Sequence, residues 1–169
     1  MRKYSAGLLV YRKKNSEPEV LLVHPGGPFW AKKDLGAWSI PKGEYGEGEN
    51  PLGAAKREFE EEIGQGAPAG DPIDLGEIKR KDGKIIKAWA LEGDLDTSTV
   101  ISNEIRIEWP PRSGKQIEIP EVDKAGWFTL SEAGLKMHKG QDEFIGRLAV
   151  HLQITLSPPT LLPSQGSLF

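Results

Sequence analysis

The stretch GEYGEGENPLGAAKREFEEEIG, residues 43–64, decides how the chain is read. Its second half asks for a helix. Asn50 is a good N-cap, and Pro51 suits the first helical position, where its missing N–H costs nothing. Gly64 supplies a C-terminal stop. Between them Leu52, Ala55, Phe59 and Ile63 share a face at helical spacing and should pack on a sheet. Glu58, Glu61 and Glu62 fall within an arc of about 100° on another side, because spacings of three and four return to one face. Glu60 points away and is expected to be solvated. Like charges so spaced cost an isolated helix roughly 0.2–0.5 kcal/mol per pair. They also lie toward the end where the helix dipole disfavours anions. Two readings fit: a solvated acidic face, or a cage of hard oxygen ligands suited to Mg²⁺ or Mn²⁺, which would relieve both penalties. The helix alone leaves them level.

Working outward, YSAGLLVYR (4–12) and EVLLVH (19–24) read as strands joined by the polar KKNSEP. Residues 25–44 form a long loop rich in proline and glycine, interrupted by a short strand at 37–40. A loop of that length in a compact domain is usually functional or mobile. Beyond the helix, strands at 73–80 and 84–92 flank the turn KDGK. Further strands are expected at 101–109 and 125–130, with PPRSGK interrupting after the first. SEAGLKM and DEFIGRLAVHLQI then read as helices with Ser131 and Asp142 as caps. Strands and helices so mixed predict an α/β (α+β) sandwich on a mixed sheet. One domain is expected over residues 1–156, followed by a mobile, Pro-rich tail at 157–169.

Composition narrows the function. The 169 residues carry a formal charge of −3, so no overall basic field draws the chain to nucleic acid or an anionic membrane. No cysteine is present, which removes disulfides, thiolate metal sites and a cysteine nucleophile. The apolar run 6–11 is too short for a signal-peptide core or a membrane span, so a cytoplasmic location is expected.

The spacing in residues 43–65 resembles the Nudix box, G-x5-E-x7-R-E-U-x-E-E-x-G-U, with U a bulky apolar residue. Gly43, Glu49, Arg57, Glu58, Glu61, Glu62 and Gly64 all match, and Gln65 departs where an apolar residue is usual. The order of elements also resembles that family's α/β/α sandwich. The resemblance implies hydrolysis of a diphosphate linked to another group, usually a nucleoside derivative, with Mg²⁺ or Mn²⁺ as cofactor. It implies Glu58, Glu61, Glu62 and the Gly43 carbonyl as metal ligands, with Arg57 orienting carboxylates and Glu49 either supporting the loop or binding metal through water. The general base is a box glutamate, Glu61 or Glu62, or a later one. Glu121 in PEVDKAGWF is placed like the later glutamate of diadenosine tetraphosphate hydrolases, with Glu118 as runner-up.

WSIPKGE (38–44) resembles the W-x-x-P-K-G segment of diadenosine polyphosphate hydrolases in this family, which nominates Trp38 and Lys42 for substrate binding. Lys42 suits a phosphate as a point charge. Lys32 and Lys33 offer the same chemistry, although exposed loop lysines usually do nothing specific. Trp30 and its neighbour Phe29 would either stack on a base or anchor the loop. Trp109, Arg112 and Lys115 form a weaker group near PPRSG. Trp89 and Trp127 are expected in the core, and His24, His138 and His151 lack ligand spacing. The expected partner is a small nucleotide: first a dinucleoside polyphosphate or nucleoside triphosphate, then a nucleotide sugar or ADP-ribose. An RNA 5′ end is disfavoured by the acidic charge. A homodimer is common in the family, but no apolar patch is legible to support one. The alternative class is an inactive nucleotide-binding module of the same fold, which typically loses box glutamates; this chain keeps them.

Overall fold

The computed structural model describes residues 3–14 and 17–156. The tail expected at 157–169 lies outside the described residues, as do Asn15 and Ser16 of the first turn. In chain order the strands and helices are β1 (Tyr4–Lys14), β2 (Glu17–Pro25), β3 (Lys42–Glu44), α1 (Pro51–Ile63), β4 (Ile73–Lys79), β5 (Ile85–Glu92), β6 (Glu104–Glu108), β7 (Gln116–Pro120), β8 (Val122–Thr129), α2 (Leu130–Lys136) and α3 (Glu143–His151).

The main sheet runs β4-β5-β1-β2-β8, with β3 paired to β1. The β1–β5 pair is parallel and the others antiparallel, so the sheet is mixed. The sequences of β1 and β2 are apolar almost throughout, because helices cover both faces. Alternation sorts their side chains. Leu8, Val10, Leu21 and Val23 point to α1, where they meet Ala54, Ala55, Phe59 and Ile63. Leu9, Tyr11, Val20 and Leu22 point the other way, into a core shared with Phe144, Ile145 and Leu148 of α3. This is the expected α/β/α sandwich.

Several boundaries differ from expectation. The strand inside the long loop is Lys42–Glu44, not 37–40; Trp38 and Ser39 make only isolated bridges, to Met137 and Val23. There, backbone pairing with Ser5, Ala6 and Gly7 at the sheet outweighs local pattern. The strand expected at 101–109 begins at Glu104, and Gln116–Pro120, read as connection, returns beside it to make a separate two-stranded ribbon. β8 starts at Val122 rather than 125. Thr129, not Ser131, caps α2, its side chain accepting from Glu132 N. Asp142 stands at the start of α3 but accepts from Gly140 N instead of capping, and α3 ends at His151 rather than 154.

Candidate active site

The acidic helix is set by its ends. The Asn50 side chain accepts from Gly53 N at 2.9 Å, and Gly64 closes the helix at φ 80°, donating to Glu60 O. Phe59 and Ile63, fully buried, fix its rotation on the sheet. That rotation places Glu58 and Glu62 beside β3, and both are buried, while Glu61 is half-buried and Glu60 exposed. Glu60 is solvated as expected. The Glu62 carboxylate accepts from Lys42 N at 3.1 Å. Gly43 lies against Glu58, and a Cβ there would overlap the Glu58 carboxylate. The glycine is therefore required by close approach.

Arg57 ties the acidic groups together. Its guanidinium donates to Glu49 at 3.0 and 3.3 Å, to Glu58 at 2.9 Å and to Glu61 at 3.2 Å. The hydrogen bond to Glu49 is the largest cause holding Arg57 above its ordinary pKa. Both the orienting role expected for Arg57 and the supporting role expected for Glu49 fit these contacts.

A cleft of about 170 Å³ opens beside this cluster, lined by Ser39, Lys42, Glu62, Glu121 and His138 together with Val23, Pro25 and Val122. Burial, then the charge of Glu121, pushes the Glu62 carboxyl up to about 9. Burial also raises Glu58 and Glu121, with Glu61 adding to each. The Lys42 ammonium is pulled down by burial, with Glu62 opposing. Two of the sequence candidates, Lys42 and Glu121, thus meet Glu62 in one concavity, from segments about twenty and sixty residues away in the chain. Glu118 does not join them; it sits on the outer face of the ribbon, paired with Arg106 at 3.3 Å.

The aromatic candidates separate. Trp38, expected on the substrate side, is instead a core residue at 6% exposure, its ring edge-on to His24 and Phe128 and its Nε1 donating to Asp34. Trp30 is half-buried, edge-on to exposed Phe29 at 4.9 Å and to His138 at 5.4 Å. Through His138 it abuts the cleft. Lys33 stacks over Phe29 at 3.5 Å, whereas Lys32 is exposed and outside the cleft lining. Trp109, Arg112 and Lys115 lie at the far end of the β6–β7 ribbon and line no part of this cleft. Trp89 packs in the core as expected, while Trp127 is only partly buried against it, with Arg12 over its ring at 4.1 Å.

Ser39 was not singled out from the sequence, and His138, read there as a structural or surface residue, instead lines the cleft. His138 has no ligand spacing, and only the return of the chain after α2 brings it to the cleft; burial, then Lys42, lowers its pKa. His24 is structural, fully buried, with its ring nitrogens 2.9 Å from Asp123 and 2.6 Å from Lys33 O.

The donor set fits a divalent cation. Every candidate is an oxygen, the buried carboxylates are raised by burial and mutual repulsion, and the missing side chain of Gly43 lets β3 lie directly against the Glu58 carboxylate. Among the described residues no three acidic or imidazole side chains are already converged on one point. Arg57 engages oxygens of Glu58 and Glu61.

Comparison with known proteins identifies the fold and the family. The NUDIX domain family model matches residues 1–148. No curated protein matches the chain. Among solved structures, an Ap4A hydrolase of C. elegans is similar at a TM-score of 0.63 and 21% identity, covering 88% of this chain and 98% of its own. The NUDIX domain of Shewanella oneidensis NrtR, solved with ADP ribose, is similar at 0.60 and 15%, covering 90% and 89%. A mutT/nudix family protein of Listeria innocua is similar at 0.56 and 17%, covering 89% and 94%. At such identities these structures share the fold, while the family match spans nearly the whole described chain. The chain belongs to the NUDIX domain family, as a pyrophosphohydrolase.

Proposed function

We propose that the chain hydrolyses a diphosphate linkage in a dinucleoside polyphosphate, releasing ATP and AMP from diadenosine tetraphosphate, with Mg²⁺ or Mn²⁺ as cofactor. One observation carries the choice. The WSIPKGE segment delivers Lys42 into the same cleft as Glu62 and Glu121, so a cation stands where an extended phosphate chain needs one.

Enzymes of the family generally use divalent metal ions. Here Glu58, Glu61, Glu62 and the Gly43 carbonyl would hold the ion, which when bound neutralises the diphosphate and eases deprotonation of water. Arg57 keeps Glu49, Glu58 and Glu61 in register. Lys42 meets a phosphate oxygen as a point charge. Glu121, facing Glu62 across the cleft, takes the proton from the attacking water. The water oxygen forms a bond to phosphorus, the bridging P–O bond breaks, and the leaving nucleotide departs as its phosphate. Trp30, abutting the cleft through His138, offers a ring to a base, and Lys32 is a loop cation for the outer phosphates.

A second reading, ADP-ribose or a nucleotide sugar, draws support from the likeness to the NrtR domain solved with ADP ribose. A turnover panel distinguishes them: diadenosine polyphosphates, nucleoside triphosphates, ADP-ribose and nucleotide sugars, with Mg²⁺, with and without EDTA, and products separated by chromatography. The expected result is chelator-sensitive cleavage of diadenosine tetraphosphate to ATP and AMP. Preference for ADP-ribose would replace the substrate assignment, and turnover unaffected by EDTA would discard the metal site.

A further inference from the structure

The last carbonyls of a helix have no partners within it. In α1 these are satisfied from outside by the segment 101–103. Ile101 N donates to Ile63 O at 3.0 Å and Asn103 N donates to Glu61 O at 2.9 Å. The approach is so close that a Cβ on Gly64 would overlap Ile101 O. Gln65, the departure from the family pattern, serves the same junction, its Nε2 donating to Thr99 Oγ1 at 2.9 Å. Asn103 then does something more. Its carbonyl accepts from Glu121 N at 2.9 Å. Its side-chain amide, with the NH₂ turned toward its two acceptors, donates to Glu61 O at 3.1 Å and to Glu121 Oε1 at 2.7 Å. One residue thus holds both the backbone and the carboxylate of Glu121, and anchors both to the carboxylate helix.

We propose that Asn103 is a positioning residue, locking the Glu121 carboxylate in register with the α1 glutamates. Glu121 lies at the junction between the β6–β7 ribbon and β8. The ribbon is separate from the main sheet, and two-stranded ribbons are weakly stable alone. The Glu121 backbone is also held by Gly26 N donating to Glu121 O at 3.0 Å. The next residue, Val122, pairs with Pro25, and its N donates to Ser102 Oγ and its O accepts from it, both at 3.0 Å. It is therefore the carboxylate rather than the backbone that depends on Asn103. Without the amide, Glu121 keeps its place in the chain but loses the bond that fixes its carboxylate rotamer. A displacement of about 1 Å in a reacting group costs up to about 10²-fold in rate.

This inference rests on Glu121 serving the reaction as proposed above, and a double-mutant cycle tells the two apart. Asn103 is exposed, so Asn103→Ala removes the amide while leaving both backbone bonds and the core intact. The expected outcome is a fall of about 10-fold in kcat with KM within about 2-fold, and less than about 2-fold further loss when Asn103→Ala is added to Glu121→Gln. Asn103→Asp, which keeps the size but sets a carboxylate against Glu121, should lower kcat at least as far, and serves if the alanine variant folds poorly. In metal-free ¹⁵N-labelled protein the Asn103 carboxamide resonances should shift on Glu121→Gln, a readout independent of turnover. If Glu121→Gln impairs kcat but Asn103→Ala does not, or if the two losses simply multiply, the positioning role is wrong and the reading of Glu121 stands. If Glu121→Gln leaves kcat unchanged, the reading of Glu121 fails and takes this inference with it.

Discussion

Glu62 concentrates the electrostatic tension of the site. It is buried, faces Glu121, and has Lys42 as a partly compensating cation. Its carboxyl is pushed up to about 9 from an ordinary 4.5, so the metal-free folded chain binds a proton more tightly than the unfolded one does. The sign follows: this stabilisation is complete below the ordinary carboxylate value and is lost as pH rises toward 9. Metal-free protein should therefore melt at progressively lower temperature from about pH 5 to pH 8, and Glu62→Gln, neutral throughout, should flatten that slope. Thermal melts of the two proteins in EDTA across this range check it; equal slopes would mean that Glu62 is not the group responsible. Added divalent cation should reverse the trend in the parent chain, since the ion takes the place of the proton.

At the scale of the element, α1 is stabilised at its two ends by different means. The N-terminus is capped locally by Asn50, four residues before Ala54 in the same strand-to-helix turn. The C-terminus is capped by Gly64 and by the distant segment 101–103. Asn50→Ala should cost about 1 kcal/mol, the usual worth of an N-cap, lowering the melting midpoint by about 2–4 °C in a chain of this length. Because the cap lies two turns from Glu58, kcat should be unchanged within about 2-fold. Calorimetry with a parallel rate assay measures both, and a large loss of turnover would show that the helix start is coupled to the acidic cluster.

For the whole molecule, the sheet divides one hydrophobic interior into two layers with different duties. Phe59 on α1 and Phe144 on α3 are both fully buried, each in a different layer. Truncating either to alanine should cost about 3–5 kcal/mol, by lost transfer energy plus the cavity left behind. Only Phe59→Ala should also lower kcat, because Phe59 sets the rotation of the helix that carries Glu58, Glu61 and Glu62. Denaturant unfolding and single-turnover rates on both variants compare the two losses. Equal kinetic damage would mean that the layer behind the sheet also shapes the site.

What local sequence determined was whatever obeys a short-range rule. The caps and periodicity of α1, the apolar runs of β1 and β2, the KDGK hairpin and the crowding of Glu58, Glu61 and Glu62 all follow from helical spacing, strand patterning and turn chemistry within a few residues. Gly43 was marked only through the resemblance to the Nudix box, and its close approach to Glu58 is a finding of the tertiary structure. Only tertiary structure decided where those pieces meet. Strand β3 forms at Lys42–Glu44 because β1 offers it partners there, and β7 forms because β6 does. Trp38 goes to the core because the loop folds back over α2, while Lys42, four residues on, turns into the cleft. His138 and Asn103 carry no local mark, and Glu121 was nominated only through its resemblance to a later glutamate of the family. Their positions depend on backbone hydrogen bonds between segments tens of residues apart, and such bonds leave no periodicity in the chain that makes them.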